Sequence, residues 1–221
     1  MLNAGLPDTN RGQMKPSWTR LNREQAHAVL NKLSGNRDAV VFSKESTEVA
    51  WRSLPFYTNY RIYRLINFAT MPTFSMLYLS NGDEFLTVDG TANPIYTANE
   101  KDPIRLNEMN VIPYLDFFFS NVQGSEGDVF LIKDPRKMPF MDALTDNQQR
   151  SIISTFKPLK VEHNPVQHAY KVSGTLYYGG GLISSTIVVS ADGKLSFQEQ
   201  SLLLTGIHFP HSPYTYYGAE G

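Results

Sequence analysis

The sequence predicts an α+β protein in which about three helices pack against a mainly antiparallel sheet. Residues 168–204 form three runs of alternating apolar and polar residues, separated by Gly179–Gly181 and by Asp192-Gly193. Asn81-Gly82 separates two similar runs in the first half. An Asp-Gly or Asn-Gly pair between alternating runs predicts a hairpin, because both central residues of a type I′ turn have positive φ. Three further segments show helical periodicity.

The first helix is predicted by a capping signal and an apolar stripe. Asn22 is placed to accept a hydrogen bond at the helix start, and Gln25 to return one, which is the capping-box pattern. Gly35 is placed to end the helix. The stripe at helical spacing consists of Ala26, Val29, Leu30 and Leu33.

Five segments of the first half have compositions typical of strands or loops. Asp38–Ser43 is β-prone and predicts a short strand. The pattern of Tyr60–Phe68 fits a strand or a helix, and we favour a strand because aromatic and β-branched residues dominate it. Phe74–Leu79 and Phe85–Val88 predict the two strands of the Asn-Gly hairpin. Gly90–Leu106 is polar and predicts a long loop.

The second predicted helix follows this loop. Apolar residues from Val111 to Val122 recur at helical spacing and define a wide face. Asn110 is the expected N-cap, and Pro113 falls in the first turn, where its missing N–H costs little. The run Asp128–Ile132 is apolar on both faces and predicts a central strand that is covered from both sides.

The third predicted helix starts a unit of one helix and four strands. Thr145 and Gln148 form a second capping-box pattern, and Pro158 ends the helix. Its expected buried residues are Ile152, Ile153 and Phe156. The strands are expected at 159–163, 168–178, 182–190 and 194–203. This element order is analogous to that of cystatin-like and nuclear-transport-factor-like cone folds, an analogy that carries no function.

Length and composition limit the organisation of the chain and its function. A chain of 221 residues can bury a substantial core. We expect a single compact unit over 1–221 with N- and C-terminal arms, which could divide into sub-units 18–122 and 123–204. The formal net charge is −1, so no basic excess drives nucleic-acid binding. The absence of cysteine excludes disulfides, thiol nucleophiles and cysteine zinc sites.

The sequence also bears on membranes and cellular location. Its most apolar run, Val111–Phe119, is far shorter than the ~20 residues that a membrane-spanning helix needs. We therefore expect no membrane insertion. Residues 1–8 show neither the basic region nor the apolar region of a secretory signal, so a cytoplasmic protein is expected.

No sequence pattern specifies a catalytic or cofactor site. The glycines 179–181 precede a β-branched strand rather than the helix that a phosphate-binding loop requires. The histidines lack metal-ligand spacing, and no Gly-x-Ser-x-Gly nucleophile elbow is present. We expect no metal, no cofactor and no catalytic residue, and we favour a protein that is not an enzyme. A Ser-His-Asp set assembled in space stays open, because triads are defined by geometry rather than by order.

Three residues of the C-terminal strands are candidates for ligand binding. Tyr170 and Tyr178 share one strand face by period two. Glu199 shares the face of Leu195 and Phe197 by the same alternation, which makes it a candidate inward carboxylate. The three could line a small-molecule pocket, although core packing is the favoured interpretation of this face.

The C-terminal tail is rich in aromatic residues, which are typical of interfaces. The candidate partner-binding residues there are Phe209, Tyr214, Tyr216 and Tyr217. The tail could equally cover its own core. The sequence therefore favours a non-catalytic interaction or assembly module that self-associates or binds a protein partner. The alternative is a small-molecule-binding or hydrolytic domain with a cavity in its curved sheet.

Overall fold

A computed structural model of the chain describes residues 17–124, 127–138 and 141–206. Over these ranges the fold is α+β, with four α-helices and two mainly antiparallel sheets, so the predicted class is confirmed. The helices are α1 (Arg23–Leu33), α2 (Asn93–Lys101), α3 (Val111–Asn121) and α4 (Asp146–Thr155). Short 3-10 turns cover Arg37–Ala39, Pro135–Lys137 and Met141–Ala143.

The first sheet belongs to the N-terminal half. Its strands are β1 (Thr19–Arg20), β2 (Thr47–Ser53), β3 (Arg61–Asn67), β4 (Phe74–Ser80) and β5 (Phe85–Thr87), and they pair antiparallel in chain order. The helix α1 covers one face of this sheet. The buried cluster between them consists of Ala26, Leu30, Leu33, Ala39, Phe42, Val49, Tyr63, Leu65 and Tyr78.

The second sheet confirms the predicted four-stranded meander. Its strands are β6 (Val129–Leu131), β7 (Lys160–Asn164), β8 (Ala169–Tyr178), β9 (Gly181–Val189) and β10 (Leu195–Leu204). The strand β8 pairs with β9 on one side and with both β6 and β7 on the other, and β9 pairs with β10. β6 is buried on both faces, as predicted. The prediction that it is a central strand was wrong, because in the described sheet it pairs only with the end of β8.

Two glycine turns connect the strands of the meander. Gly179 and Gly180 both have positive φ, 52° and 90°, and form the two-residue connection that brings Tyr178 opposite Gly181. The Asp-Gly hairpin is confirmed, but its turn is not type I′. Gly193 has φ 80° and Asp192 has no positive φ. The N–H of Gly193 donates to the Ser190 carbonyl at 2.9 Å, which is typical of a three-residue loop with glycine at its last position.

The capping boxes of α1 and α4 are both present as predicted, with reciprocal bonds between Asn22 and Gln25 and between Thr145 and Gln148. The Asn81-Gly82 hairpin is also confirmed, with Ser80 opposite Phe85. These features depend on bonds between residues a few positions apart. Ile152 is buried as expected, whereas Ile153 is 40% exposed.

Three further local predictions were wrong. Asp38–Ser43 is not a strand, because the Asn36 side chain accepts from the Asp38 N–H at 3.3 Å and starts a 3-10 turn. The predicted loop Gly90–Leu106 contains α2, whose few buried apolar residues lie among polar ones and give no clear helical periodicity. Asn110 does not cap α3 through its side chain. Its side chain instead donates to the carbonyls of Pro55 and Arg105 and accepts from Asn107.

The largest core cluster joins the two halves of the described chain. It contains residues of both sheets together with residues of α2 and α3, among them Ile62, Leu79, Ile95, Tyr114, Phe118, Leu176 and Ile187. The predicted boundary near residue 123 falls between α3 and β6. A continuous apolar cluster on both sides of that point stabilises each half through the other.

A buried polar link crosses the same region. The Tyr114 hydroxyl donates to the Gly193 carbonyl at 2.7 Å. The Asn99 amide donates to the Tyr114 oxygen at 3.2 Å and to the Asp192 carbonyl at 2.9 Å, and Tyr57 donates to the Asn99 oxygen. Burial raises the pKa of Tyr57 and of Tyr114 well above the ordinary tyrosine range, so both hydroxyls remain protonated donors. The link fastens the β9–β10 turn to α2 and α3.

Candidate functional site

Tyr170 and Tyr178, two of the predicted ligand residues, lie on the inner face of the second sheet. Tyr170 is half-buried, donates to the Leu106 carbonyl at 3.1 Å and stacks on His163 with ring centroids 4.7 Å apart. Tyr178 is half-buried at the other end of β8 and packs against the main core cluster. Side chains of α3 pack against this face, so the two tyrosines belong to the interface between the sheet and the helix.

Glu199 lies elsewhere, and the expectation that it points inward was wrong. Gln198 pairs with Thr186 and Ser201 pairs with Ser184, so Glu199 and Gln200 together oppose a single residue of β9. This β-bulge interrupts the alternation on which the expectation depended. Glu199 is exposed and has φ 48°, a left-handed conformation that is uncommon outside glycine. The structure does not bring it together with the two tyrosines.

A polar depression adjoins Glu199 on the outer face of the second sheet. We call it the hydroxyl groove; its volume is about 580 Å³. Its lining residues include Lys157, Lys160, Ser173, Ser184, Thr186, Glu199, Gln200 and Ser201. The hydroxyls of Ser173 and Thr186 bond to each other at 2.9 Å. The serine and threonine side chains of β8 and β9 alternate with core residues such as Val172 and Ile187, so the groove is on the side opposite α3.

The other predicted site residues belong to the C-terminal tail. Phe209, Tyr214, Tyr216 and Tyr217 lie outside the described residues, so their role in partner binding stays a prediction.

A second feature is an exposed apolar surface at one end of the first sheet, which we call the apolar end. It consists of Val40, Val41, Phe68, Met71 and Phe74. Met71 is fully exposed, Val40 is 82% exposed and Phe68 is 61% exposed. Large apolar side chains scattered singly on a surface are normal, whereas an exposed apolar patch of several hundred square ångströms is typical of interaction sites.

Asn67 holds the parts of the apolar end together. Its side chain is buried and donates to the Val41 carbonyl at 2.6 Å. Its oxygen accepts from the Ser46 hydroxyl at 2.9 Å and from the Ala69 N–H at 2.8 Å. The rings of Phe42 and Phe74 also touch, with centroids 5.7 Å apart. One amide thereby fixes the 40–46 loop against the connection between β3 and β4.

The apolar end carries no charge of its own. The segments that form it, 39–43 and 65–82, contain no Asp, Glu, Lys or Arg, although 19% of the chain is charged. Depletion of charge distinguishes the centre of a protein interface from the rest of a surface. The uncharged segment 65–82 is visible in the sequence, and it is the signal that could have indicated this surface.

The exposed strand β10 is a less suitable docking surface. It pairs only with β9 in the described part of the chain, and it is exposed over most of its length. Two irregularities interrupt its register, one at Glu199 and one before Leu204. Bulges and charges on an edge strand hinder the addition of another strand.

In residues 17–124, 127–138 and 141–206, no group of three His, Asp or Glu residues is arranged to hold a metal ion. Across the same ranges, no helix has the length and apolar character needed to cross a membrane. Comparison of the chain with protein-family models, with curated proteins and with solved structures finds no significant match in any of the three.

Proposed function

We propose that this protein is a non-catalytic assembly module that self-associates through its apolar end. The observation that carries the proposal is the cluster of five exposed apolar side chains, held in place by the buried Asn67. Exposing such a cluster to water is unfavourable, and covering it with apolar surface is favourable in proportion to its area. A partner that covers it is therefore the expected occupant.

The area of the apolar end suits a weak dimer. At their observed exposures the five side chains present on the order of 500 Å² of apolar surface, and the fully exposed Met71 contributes most. Two copies in contact would bury about 1,000 Å² in total, which is the lower limit for a specific interface. We therefore expect a dimer that forms at micromolar or higher concentration.

A second copy of the chain fits this surface better than a membrane or a charged partner. An uncharged apolar surface is complementary to itself, so a two-fold dimer needs no other matching surface. The net charge of −1 causes little repulsion between copies. The segments of the apolar end contain no Lys or Arg to attract anionic lipids.

Met71→Asp is expected to abolish self-association at concentrations where the unmodified chain dimerises. The substitution would place an unpaired carboxylate in an apolar interface, which is costly. Because Met71 is fully exposed, the change leaves the free energy of unfolding within about 0.5 kcal/mol. Light scattering across a concentration series is the measurement. The unmodified chain should rise from 25.0 kDa towards twice that mass, and the variant should remain at 25.0 kDa.

Met109→Asp is the matched control. Met109 is 74% exposed in the turn before α3, remote in sequence from the apolar end, and its replacement should leave dimerisation unchanged. A chain that stays monomeric at millimolar concentration would contradict self-association. So would equal weakening by both substitutions. Binding of the monomeric chain to phosphatidylcholine vesicles, lost in Met71→Asp, would assign the surface to lipid and overturn the proposal.

A further inference from the structure

We propose that the hydroxyl groove binds a small molecule that carries a carboxylate or phosphate group. This inference does not depend on the apolar end, which belongs to the other sheet. The groove combines hydroxyl and ammonium donors on one side of the sheet with a volume typical of small-ligand sites, which range from about 300 to 1,000 Å³.

Several donors that line the groove have no partner in the described chain. Lys157 and Lys160 form no ion pair with any described residue. The hydroxyls of Ser184 and Ser201 make no hydrogen bond to a described group, and these two residues lie directly opposite each other on β9 and β10. Ammonium and hydroxyl groups that line one depression and have no partner in the described chain favour an anionic oxygen ligand.

The backbone at Lys157 keeps this side of the groove fixed. The Lys157 N–H donates to the Thr175 hydroxyl at 2.8 Å, and the Thr175 N–H donates to the Lys157 carbonyl at 3.1 Å. Thr175 is fully buried in β8. The main chain of Lys157 is thus anchored to β8 while its side chain is exposed at the groove, where its ammonium group can reach a bound anion.

Glu199 supplies a different group at the β10 side of the groove. Glu199 has a left-handed backbone conformation, which glycine would adopt without steric cost. A glutamate at this position therefore carries backbone strain that a glycine would avoid. Such strain motivates a functional hypothesis for the side chain. Its carboxylate accepts hydrogen bonds and matches a hydroxyl or amino group on the ligand. The favoured ligand therefore combines an anionic group with a hydrogen-bond donor.

The test is a titration of the full ¹⁵N-labelled chain followed by amide chemical shifts. Sodium phosphate and sodium acetate are added in separate arms at constant ionic strength set by sodium chloride. Saturable shifts are expected at the amides of Ser173, Ser184, Thr186 and Ser201. The arm that saturates at the lower concentration identifies the anionic group. Replacing both groove lysines, Lys157→Gln with Lys160→Gln, should weaken binding at least tenfold.

The control is a double variant that removes two lysine charges outside the groove. Lys44→Gln with Lys137→Gln changes two exposed lysines outside the groove and should leave the affinity unchanged. Glu199→Gln removes a like charge and should tighten binding of the bare phosphate probe about twofold. Shifts that do not saturate, or equal weakening by both double variants, would show an adventitious ion only and would overturn the proposal.

Discussion

Replacing Gly193 with alanine is expected to lower the free energy of unfolding by about 3 kcal/mol, from positive-φ strain and from overpacking. Gly193 is buried in the β9–β10 turn with φ 80°. A Cβ atom at this position would lie 2.5 Å from the Asn99 amide nitrogen and 2.6 Å from both the Tyr114 hydroxyl and the Ile104 side chain. The methyl group would therefore displace the buried polar link that fastens the second sheet to α2 and α3.

Gly82→Ala separates strain from crowding. Gly82 has φ 100°, but nothing lies within 4 Å of a Cβ built there. Its replacement should cost about 1 kcal/mol from backbone strain alone. Urea unfolding at pH 7, followed by circular dichroism, compares the two variants. Equal losses of stability would contradict the role that we assign to the Asn99–Tyr114–Gly193 link.

Replacing Asn67 with alanine is expected to lower the free energy of unfolding by about 2–3 kcal/mol, because three hydrogen bonds of this buried side chain are lost together. The same substitution should weaken dimerisation at least tenfold. Without the Asn67 amide, the Val41 carbonyl and the Ala69 N–H lose their partner, and the two segments of the apolar end separate. Dimerisation is measured by light scattering below the unfolding temperature, on samples with native far-ultraviolet circular dichroism.

Asn164→Ala is the control for this variant. Asn164 organises the β7–β8 turn by accepting from the N–H groups of Val166 and Gln167, at 3.1 and 3.2 Å. Its loss should cost about 1 kcal/mol, as a typical capping or turn interaction does, and should leave dimerisation intact. Dimerisation that survives Asn67→Ala in a folded sample would show that the amide does not organise the interaction surface.

The parts of the fold that the sequence predicted are those set by local bonds. The capping boxes at Asn22 and Thr145 depend on a partner three residues away, and the hairpin at Asp192-Gly193 depends on one residue with positive φ. Such features need no knowledge of the rest of the molecule. The caps and turns specify the same helix and strands as the apolar pattern does. For this reason the fold class and the order of the last five elements could be predicted.

The errors arose where distant residues decide the local structure. The helix α2 has a short apolar side, and it is stabilised because Ile95 and Ala98 are fully buried in the core shared by the two sheets. The inward direction expected for Glu199 followed from strict alternation, which a single bulge reverses. The sequence pattern does not indicate this bulge, because its first residue is a glutamate and not the glycine that often marks a bulge.

The apolar end also depends on residues that are distant in the sequence. Assigning Asp38–Ser43 to a strand would place Val40 and Val41 on opposite faces, with one of them buried. The observed turn exposes both, and Asn67 then joins them to a connection that is remote in the sequence. The lack of charge in segment 65–82 is compatible with strands and a turn as well as with an interface, so it does not locate the surface by itself.

The most direct test of self-association through the apolar end uses the absence of cysteine from the chain. Met71→Cys introduces a single thiol into the surface, and Met109→Cys introduces one at a comparably exposed position outside it. Under mild oxidation at micromolar concentration, we expect Met71→Cys to form disulfide-linked dimers at least tenfold faster than Met109→Cys, because the dimer holds the two thiols together. Equal rates for the two variants would show that copies meet at random, and would contradict the proposed function.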